Sequence, residues 1–246
     1  MKFIAHRGFS LRFAENSLPA FQAVIEHPCN GRSLTGIELD IHLTGDGRIP
    51  VMHDTVIRDE NGKIFTVARC TFEELQHWRK RAGIPGTPSI PAIEEVLDLV
   101  NHRTELCFDI KKGPYDLDRF CRCFASALDA YHPCGDVVVS SSSLNILNQV
   151  RSFLSRFDLR YGYIFKSFKA LEGLQADTIR RFDLLHPHYR LVLHAPRSFQ
   201  INGSAVRCWT VNDPDTIRRL TNLTPQVPIE AVMTDDIDLA EQFQDV

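Results

Sequence analysis

Short runs of apolar, often β-branched residues alternate with amphipathic stretches from one end of this chain to the other. That alternation constrains the fold more than any other feature, because strands joined through helices lie parallel and need cover on both faces. Strands are predicted at residues 2–6, 36–43, 105–111, 137–140, 159–164, 182–186, 205–211 and 229–234, with a short extended piece at 49–52. Between them, Glu15-Asn16-Ser17 caps a helix running to about His27, with Pro19 in its first turn. Thr71-Phe72-Glu73-Glu74 has capping-box spacing, and Pro91 suits a first helical residue ahead of the stripe Ile93, Val96, Leu97 and Val100. Helices are also expected at 115–130 and 144–153, from Asp213-Pro214 to Leu220, and after the last strand. Eight such units in 246 residues favour a closed (β/α)₈ barrel over an open sheet, since that barrel typically takes about 250 residues. Residues 55–89 form a small excursion after the second strand, and no helix is readily placed across 166–204. With no repeat, linker or low-complexity tract in between, a single domain over 1–246 is expected.

Charge and cysteine usage narrow the classes of function. The net charge is −3 and the pI about 6.4, so the basic footprint of a nucleic-acid binder is missing. No apolar stretch approaches the roughly 18 residues needed to span a bilayer, so no stable membrane anchor is expected. Taken as a native start, Met1-Lys2-Phe3-Ile4-Ala5-His6-Arg7 reaches charge too early for a signal peptide, and the expectation is a cytoplasmic protein. Seven cysteines without framework spacing read as reduced thiols. Cys121, Cys123, His132 and Cys134 invite a zinc reading, but i and i+2 on a helix point to different faces, and buried thiols are the plainer expectation. The oligomeric state is left open.

In a parallel barrel, chemistry collects where the strands end. Here the strand ends read His6-Arg7-Gly8, Glu38-Leu39-Asp40, Asp109-Ile110-Lys111, His186-Pro187-His188, Trp209-Thr210-Val211-Asn212 and Thr234-Asp235, with His53-Asp54 after the extended piece. Glu38 and Asp40 stand two apart, so the pleat puts both carboxylates on one face. Two adjacent anions in a barrel mouth repel unless a hard cation such as magnesium, calcium or manganese sits between them. Asp109 and Lys111 repeat the spacing on the next strand, as a third oxygen ligand and a positive charge for an anionic substrate. His6 beside Arg7 pairs a titratable imidazole with a forked phosphate donor, and Gly8 lets the backbone turn away at once. His53 before Asp54 looks like an imidazole oriented by a carboxylate, although Asp54 could equally form a turn. Singly, each motif has a bland explanation: an alternating strand with a salt bridge, a turn, a helix cap. Together they supply acid, base, metal cradle and phosphate cations, which suits phosphoryl chemistry.

In this order the motifs resemble the glycerophosphodiester phosphodiesterase family over nearly the whole chain. They are Ala5-His6-Arg7-Gly8, Glu15-Asn16-Ser17, Ile37-Glu38-Leu39-Asp40, Thr44 to Gly47 with Asp46, and His53-Asp54. Ile90-Pro91 with Glu94-Glu95-Val96-Leu97, Trp209-Thr210-Val211-Asn212 and Thr234-Asp235 follow. The resemblance implies a TIM barrel that hydrolyses glycerophosphodiesters to glycerol 3-phosphate and an alcohol. It implies His6 and His53 as general acid and base, and Glu38, Asp40 and Asp109 as holders of a divalent cation (Mg²⁺, Ca²⁺ or Mn²⁺). Arg7 and Lys111 would bind phosphate, Glu15 would support His6 and Arg7, and Trp209 would wall the substrate site, where core packing is its other reading. Ala14 and Ser17 depart from the family's usual proline and threonine, and Asp109 stands where it generally has glutamate. One methylene shorter, Asp109 would reach the ion through water or draw it toward its own strand. His186 and His188 are as open to a structural role as to a place in the site. Two rival readings keep the site: a lysophospholipase D acting on lysophospholipids, or a catalytically weak phosphodiester-binding homologue.

Overall fold

The computed structural model describes residues 1–58, 62–81, 88–172, 179, 181–200 and 204–243. Eight parallel strands close into a barrel: β1 (Lys2–His6), β2 (Leu34–Ile41), β5 (Glu105–Ile110), β6 (Val137–Ser141), β7 (Arg160–Phe165), β8 (Leu184–Pro187), β9 (Ala205–Cys208) and β10 (Ile229–Thr234). β1 pairs with both β2 and β10, which seals the ring. The expected TIM barrel is therefore the fold.

The helix signals work through identifiable hydrogen bonds. Ser17 accepts from the Ala20 N–H at 3.3 Å to open α1 (Leu18–Glu26). Thr71 and Glu74 make the reciprocal bonds of a capping box at the start of α2 (Phe72–Arg81): Glu74 N–H to Thr71 Oγ1 at 3.1 Å, Thr71 N–H to Glu74 Oε2 at 2.8 Å. Around the barrel follow α3 (Ile93–Val100), α4 (Leu117–Tyr131), α5 (Leu144–Phe153), α6 (Tyr189–His194), α7 (Pro214–Thr221) and the single turn α8 (Leu239–Gln242). Asp213 caps α7 through the Thr216 N–H at 2.8 Å.

Some boundaries differ from the sequence expectation. Pro91 lies ahead of α3 rather than in it, because its carbonyl accepts the Val51 N–H at 2.8 Å and so pins the extended piece at 49–52. β2 starts and ends two residues early, and β9 stops at Cys208, so Trp209 to Asn212 leave the sheet as a loop. Across 166–204 the described residues form two short 3₁₀ turns, β8 and α6; positions 173–178, 180 and 201–203 of that stretch lie outside them. The excursion after β2 carries a hairpin, β3 (Val56–Arg58) with β4 (Ile64–Thr66), and α2, gathered on a small core of Met52, Val67, Leu75 and Ile90. Residues 59–61 and 82–87 of the excursion are outside the described residues. The cysteines correct one expectation: Cys121 is buried and Cys123 partly so, but Cys134 is exposed beside His102 and Asp136.

Outward-facing Phe3, Ile37, Leu39 and Phe108 pack under the helices, Phe108 edge-on to Phe124 of α4 at 5.3 Å. Full burial of each such side chain contributes roughly 1.5–3 kcal/mol. Inside the barrel Ile4, Cys107, Val138, Leu184, Ala231 and Met233 form a separate apolar layer. The pleat then carries the next inward position two residues on, and those positions are His6, Asp109, Ser140, His186 and Asp235. An apolar floor thus lifts a polar layer to the strand ends. Among the described residues no helix is long and apolar enough to cross a membrane.

Below the apolar layer, Arg207 is 2% exposed. It donates to Glu105 Oε2 at 3.0 Å and to Glu230 Oε1 at 3.0 Å, and Arg160 also binds Glu230. Burial would raise the Glu230 carboxyl, but the hydrogen bonds from Arg160 and the charge of Arg207 outweigh it and bring it down to about 2. Arg207→Leu removes the buried cation that Glu105 and Glu230 share, leaving both to the more exposed Arg160 alone, and should cost about 3–5 kcal/mol in urea unfolding. Because the folded pKa of Glu230 lies below its ordinary value of 4.5, this stabilisation is fully present above that value and is lost as pH falls toward about 2. The gap between wild type and Arg207→Leu should therefore narrow on acidification; a gap unchanged from pH 6 to pH 3 contradicts this.

Candidate active site

Strand register sets the site. His6 pairs with Glu38 across β1 and β2, and Asp40 pairs with Asp109 across β2 and β5. The polar ends of three neighbouring strands are thereby brought to one cavity of about 320 Å³, which His53, Lys111, His186 and Trp209 also line. At the end of β1, Arg7 and Gly8 take φ of +59° and +81°. A Cβ on Gly8 would stand 2.8 Å from the Ala20 Cβ and 2.9 Å from its carbonyl carbon. Only glycine lets β1 turn this close to α1.

Glu38, Asp40 and Asp109 are all buried, and one carboxylate oxygen of each lies within 4.8 Å of the others. Burial, and then the neighbouring Asp40, push the Glu38 carboxyl up to about 7. Asp109 is also raised, by burial and by Asp40, against the pull of Lys111. Asp40 goes the other way: burial would raise it, but Lys111 and Arg7 hold it below the ordinary carboxylate range. Lys111 Nζ stands 2.6 Å from both Asp40 Oδ1 and Asp109 Oδ2, and Arg7 Nε is 3.1 Å from Asp40 Oδ2. Asn16 completes the clamp, donating to Asp40 Oδ2 at 2.8 Å and accepting the Asp40 N–H at 3.1 Å. The cluster is all oxygen, tightly gathered and over-negative at Glu38. Those residues fit a hard divalent cation and could hold one.

Both histidines carry an aspartate. His6 Nδ1 is 2.6 Å from Asp235 Oδ1. A carboxylate only accepts, so this nitrogen bears the proton and Nε2, 4.0 Å from Glu38 Oε2, faces the acid cluster. Burial lowers the His6 pKa, but the Asp235 bond and Glu38 outweigh it and the net shift is upward. Asp235 is itself fixed by Asn212 Nδ2 at 2.6 Å and by the Ser10 hydroxyl at 3.1 Å. His53 Nδ1 lies 3.0 Å from Asp54 Oδ1 on a more exposed rim, and its carbonyl accepts from His42 Nε2 at 3.0 Å.

Around them, Glu15 Oε2 accepts from Arg7 Nη1 at 2.7 Å. Trp209 lies on the cavity wall and donates through Nε1 to the His186 carbonyl at 2.7 Å. The two histidines at the end of β8 part company: His186, within the strand, lines the cavity, whereas His188, just past it, accepts the Arg190 N–H to cap α6. Sequence reasoning missed the pairing of Asp235 with His6, the hold of Asn16 on Asp40, the support from buried His42, and Lys166 on the cavity lining. Asn16 had a local trace as a polar residue just ahead of the α1 cap, and Asp235 as a polar strand end, but neither residue's partner was legible there.

The chain is similar to known proteins in sequence and in fold. The sequence is 28% identical to a glycerophosphodiester phosphodiesterase of Caldanaerobacter subterraneus subsp. tengcongensis over 241 residues, 95% of this chain and 93% of the relative. The fold is similar to that of a Thermotoga maritima glycerophosphodiester phosphodiesterase, with a TM-score of 0.72, 23% identity and coverage of 98% and 96% of the two chains. It is also similar to an Oleispira antarctica phosphodiesterase solved with the product sn-glycerol-3-phosphate, with a TM-score of 0.80, 18% identity and 98% and 96% coverage. The model of the glycerophosphoryl diester phosphodiesterase family matches residues 6–239, and the chain belongs to that family.

Proposed function

We propose that this chain, acting as one domain over residues 1–246, hydrolyses glycerophosphodiesters to glycerol 3-phosphate and an alcohol by paired-histidine acid–base catalysis beside a carboxylate-held cation. The observation that carries the reading is the His6–Asp235 pair set against the buried Glu38, Asp40 and Asp109 cluster in one cavity with His53. Family membership supports the substrate class.

Glu38, Asp40 and Asp109 would hold Mg²⁺, Ca²⁺ or Mn²⁺, which when bound supplies Lewis-acid relief of phosphoryl charge. Arg7, braced by Glu15 and Asp40, still has N–H groups to offer a phosphate oxygen, and Lys111 adds a second positive charge. Asp235 fixes the His6 tautomer so that Nε2 is the nitrogen that exchanges protons in the cavity. One of His6 and His53 takes the proton of the nucleophile, water or the adjacent glycerol hydroxyl, and the other protonates the departing alcohol. Trp209 walls the organic part of the substrate.

A substrate panel tests this. Glycerophosphocholine and glycerophosphoethanolamine should each release glycerol 3-phosphate, faster than lysophosphatidylcholine releases choline. Turnover of lysophosphatidylcholine without turnover of either glycerophosphodiester would replace this reading with lysophospholipase D action. Binding of the diesters without any turnover would leave a binding homologue.

A further inference from the structure

His186 ends β8, four strands round the ring from β2 and so across the barrel from the acid cluster. It is 1% exposed, it lines the cavity, and neither ring nitrogen has a hydrogen-bond partner among the described residues. Buried polar side chains are almost always paired, so an unpaired imidazole facing a cavity points to a partner that enters the cavity. The ring also has a prepared seat. It lies over Gly162 of β7, where a Cβ would stand 2.8 Å from both Cε1 and Nε2. The bond from Trp209 Nε1 to the His186 carbonyl holds the backbone beneath it.

The charge state limits what the ring can bind. Burial, and next the positive charge of Arg207, push His186 well below the ordinary imidazole range, so it is neutral in use. A neutral imidazole presents one donor and one acceptor. A phosphate oxygen without a proton only accepts and would leave the acceptor nitrogen unmatched, whereas a hydroxyl both donates and accepts. Arg7 and Lys111, the proposed phosphate cations, follow β1 and β5 on the far side, while Lys166, after β7, is a third cation on the lining and lies nearer His186.

We infer that His186 is a specificity-determining residue, hydrogen-bonding a hydroxyl of the substrate's polyol arm across the cavity from the phosphate. The inference rests on the proposed hydrolysis of glycerophosphodiesters and names the group that recognises the glycerol end. Two substrates separate the effects: glycerophosphocholine, which bears hydroxyls, and bis(p-nitrophenyl) phosphate, which has none. His186→Leu should lower kcat/KM for glycerophosphocholine about 10- to 100-fold, the loss expected for one buried hydrogen bond, while bis(p-nitrophenyl) phosphate stays within about threefold. His186→Asn, which keeps a donor and an acceptor, should recover part of the loss. Gly162→Ala, which displaces the ring without altering it, should reproduce the selective loss. Parallel losses on both substrates, or no loss on either, overturn the inference while leaving the proposed function standing. Wild-type protein that cleaves bis(p-nitrophenyl) phosphate but no glycerophosphodiester overturns both.

Discussion

Replacing His6 by alanine is expected to lower turnover of a glycerophosphodiester about a thousandfold or more, with the fold intact. The side chain stands at the end of β1 above an apolar layer that does not depend on it, so its loss removes a proton-transfer group without removing core. Its Nδ1 is committed to Asp235 at 2.6 Å, which leaves Nε2 as the working nitrogen. His53→Ala should cause a loss of similar size, and its exposed position makes an effect on folding smaller still. The check is kcat measured beside a thermal melt for each variant. Near-normal kcat in either would remove that histidine from the mechanism, and a collapsed melt would make it structural.

Chelation is the second large effect. Treatment with EDTA should abolish turnover, and magnesium, calcium or manganese should restore it to different extents. Three buried carboxylates share a few ångströms with Lys111, whose ammonium already contacts two of them at 2.6 Å. Glu38 is the unbalanced member, raised to about 7 by burial and by Asp40, and a cation would relieve that strain of like charge. Lewis-acid assistance is worth several kcal/mol, so its loss corresponds to about three powers of ten in rate. Asp40→Asn should mimic chelation, because Asp40 also anchors Lys111, Arg7 and Asn16. Turnover unaffected by EDTA contradicts the cation reading. The shorter Asp109 side chain does not remove its carboxylate from the cluster: register places it directly beside Asp40.

The sequence showed what is local or periodic. Alternation fixed the barrel, the i, i+2 spacing put Glu38 and Asp40 on one face, and the caps at Ser17, Thr71 and Asp213 marked helix starts. It was silent on what closure creates. Asp235 lies 229 residues from His6, and only the pairing of β1 with β10 makes them neighbours. The register of His6 with Glu38 likewise follows from a shift in the β1–β2 ladder that no motif encodes. The early end of β9 escaped notice because Trp209 to Val211 are as suited to a strand as the residues before them. His186 and His188 look alike in sequence, and the pleat alone would give them one face; β8 ends at Pro187, so His186 keeps its inward place on the cavity while His188 leaves the sheet to cap α6.

The most direct test is product analysis on glycerophosphocholine with magnesium present, wild type beside His6→Ala. The account predicts equimolar glycerol 3-phosphate and choline from the wild type and almost none from the variant. Release of glycerol and phosphocholine, or an unchanged rate in His6→Ala, would contradict it.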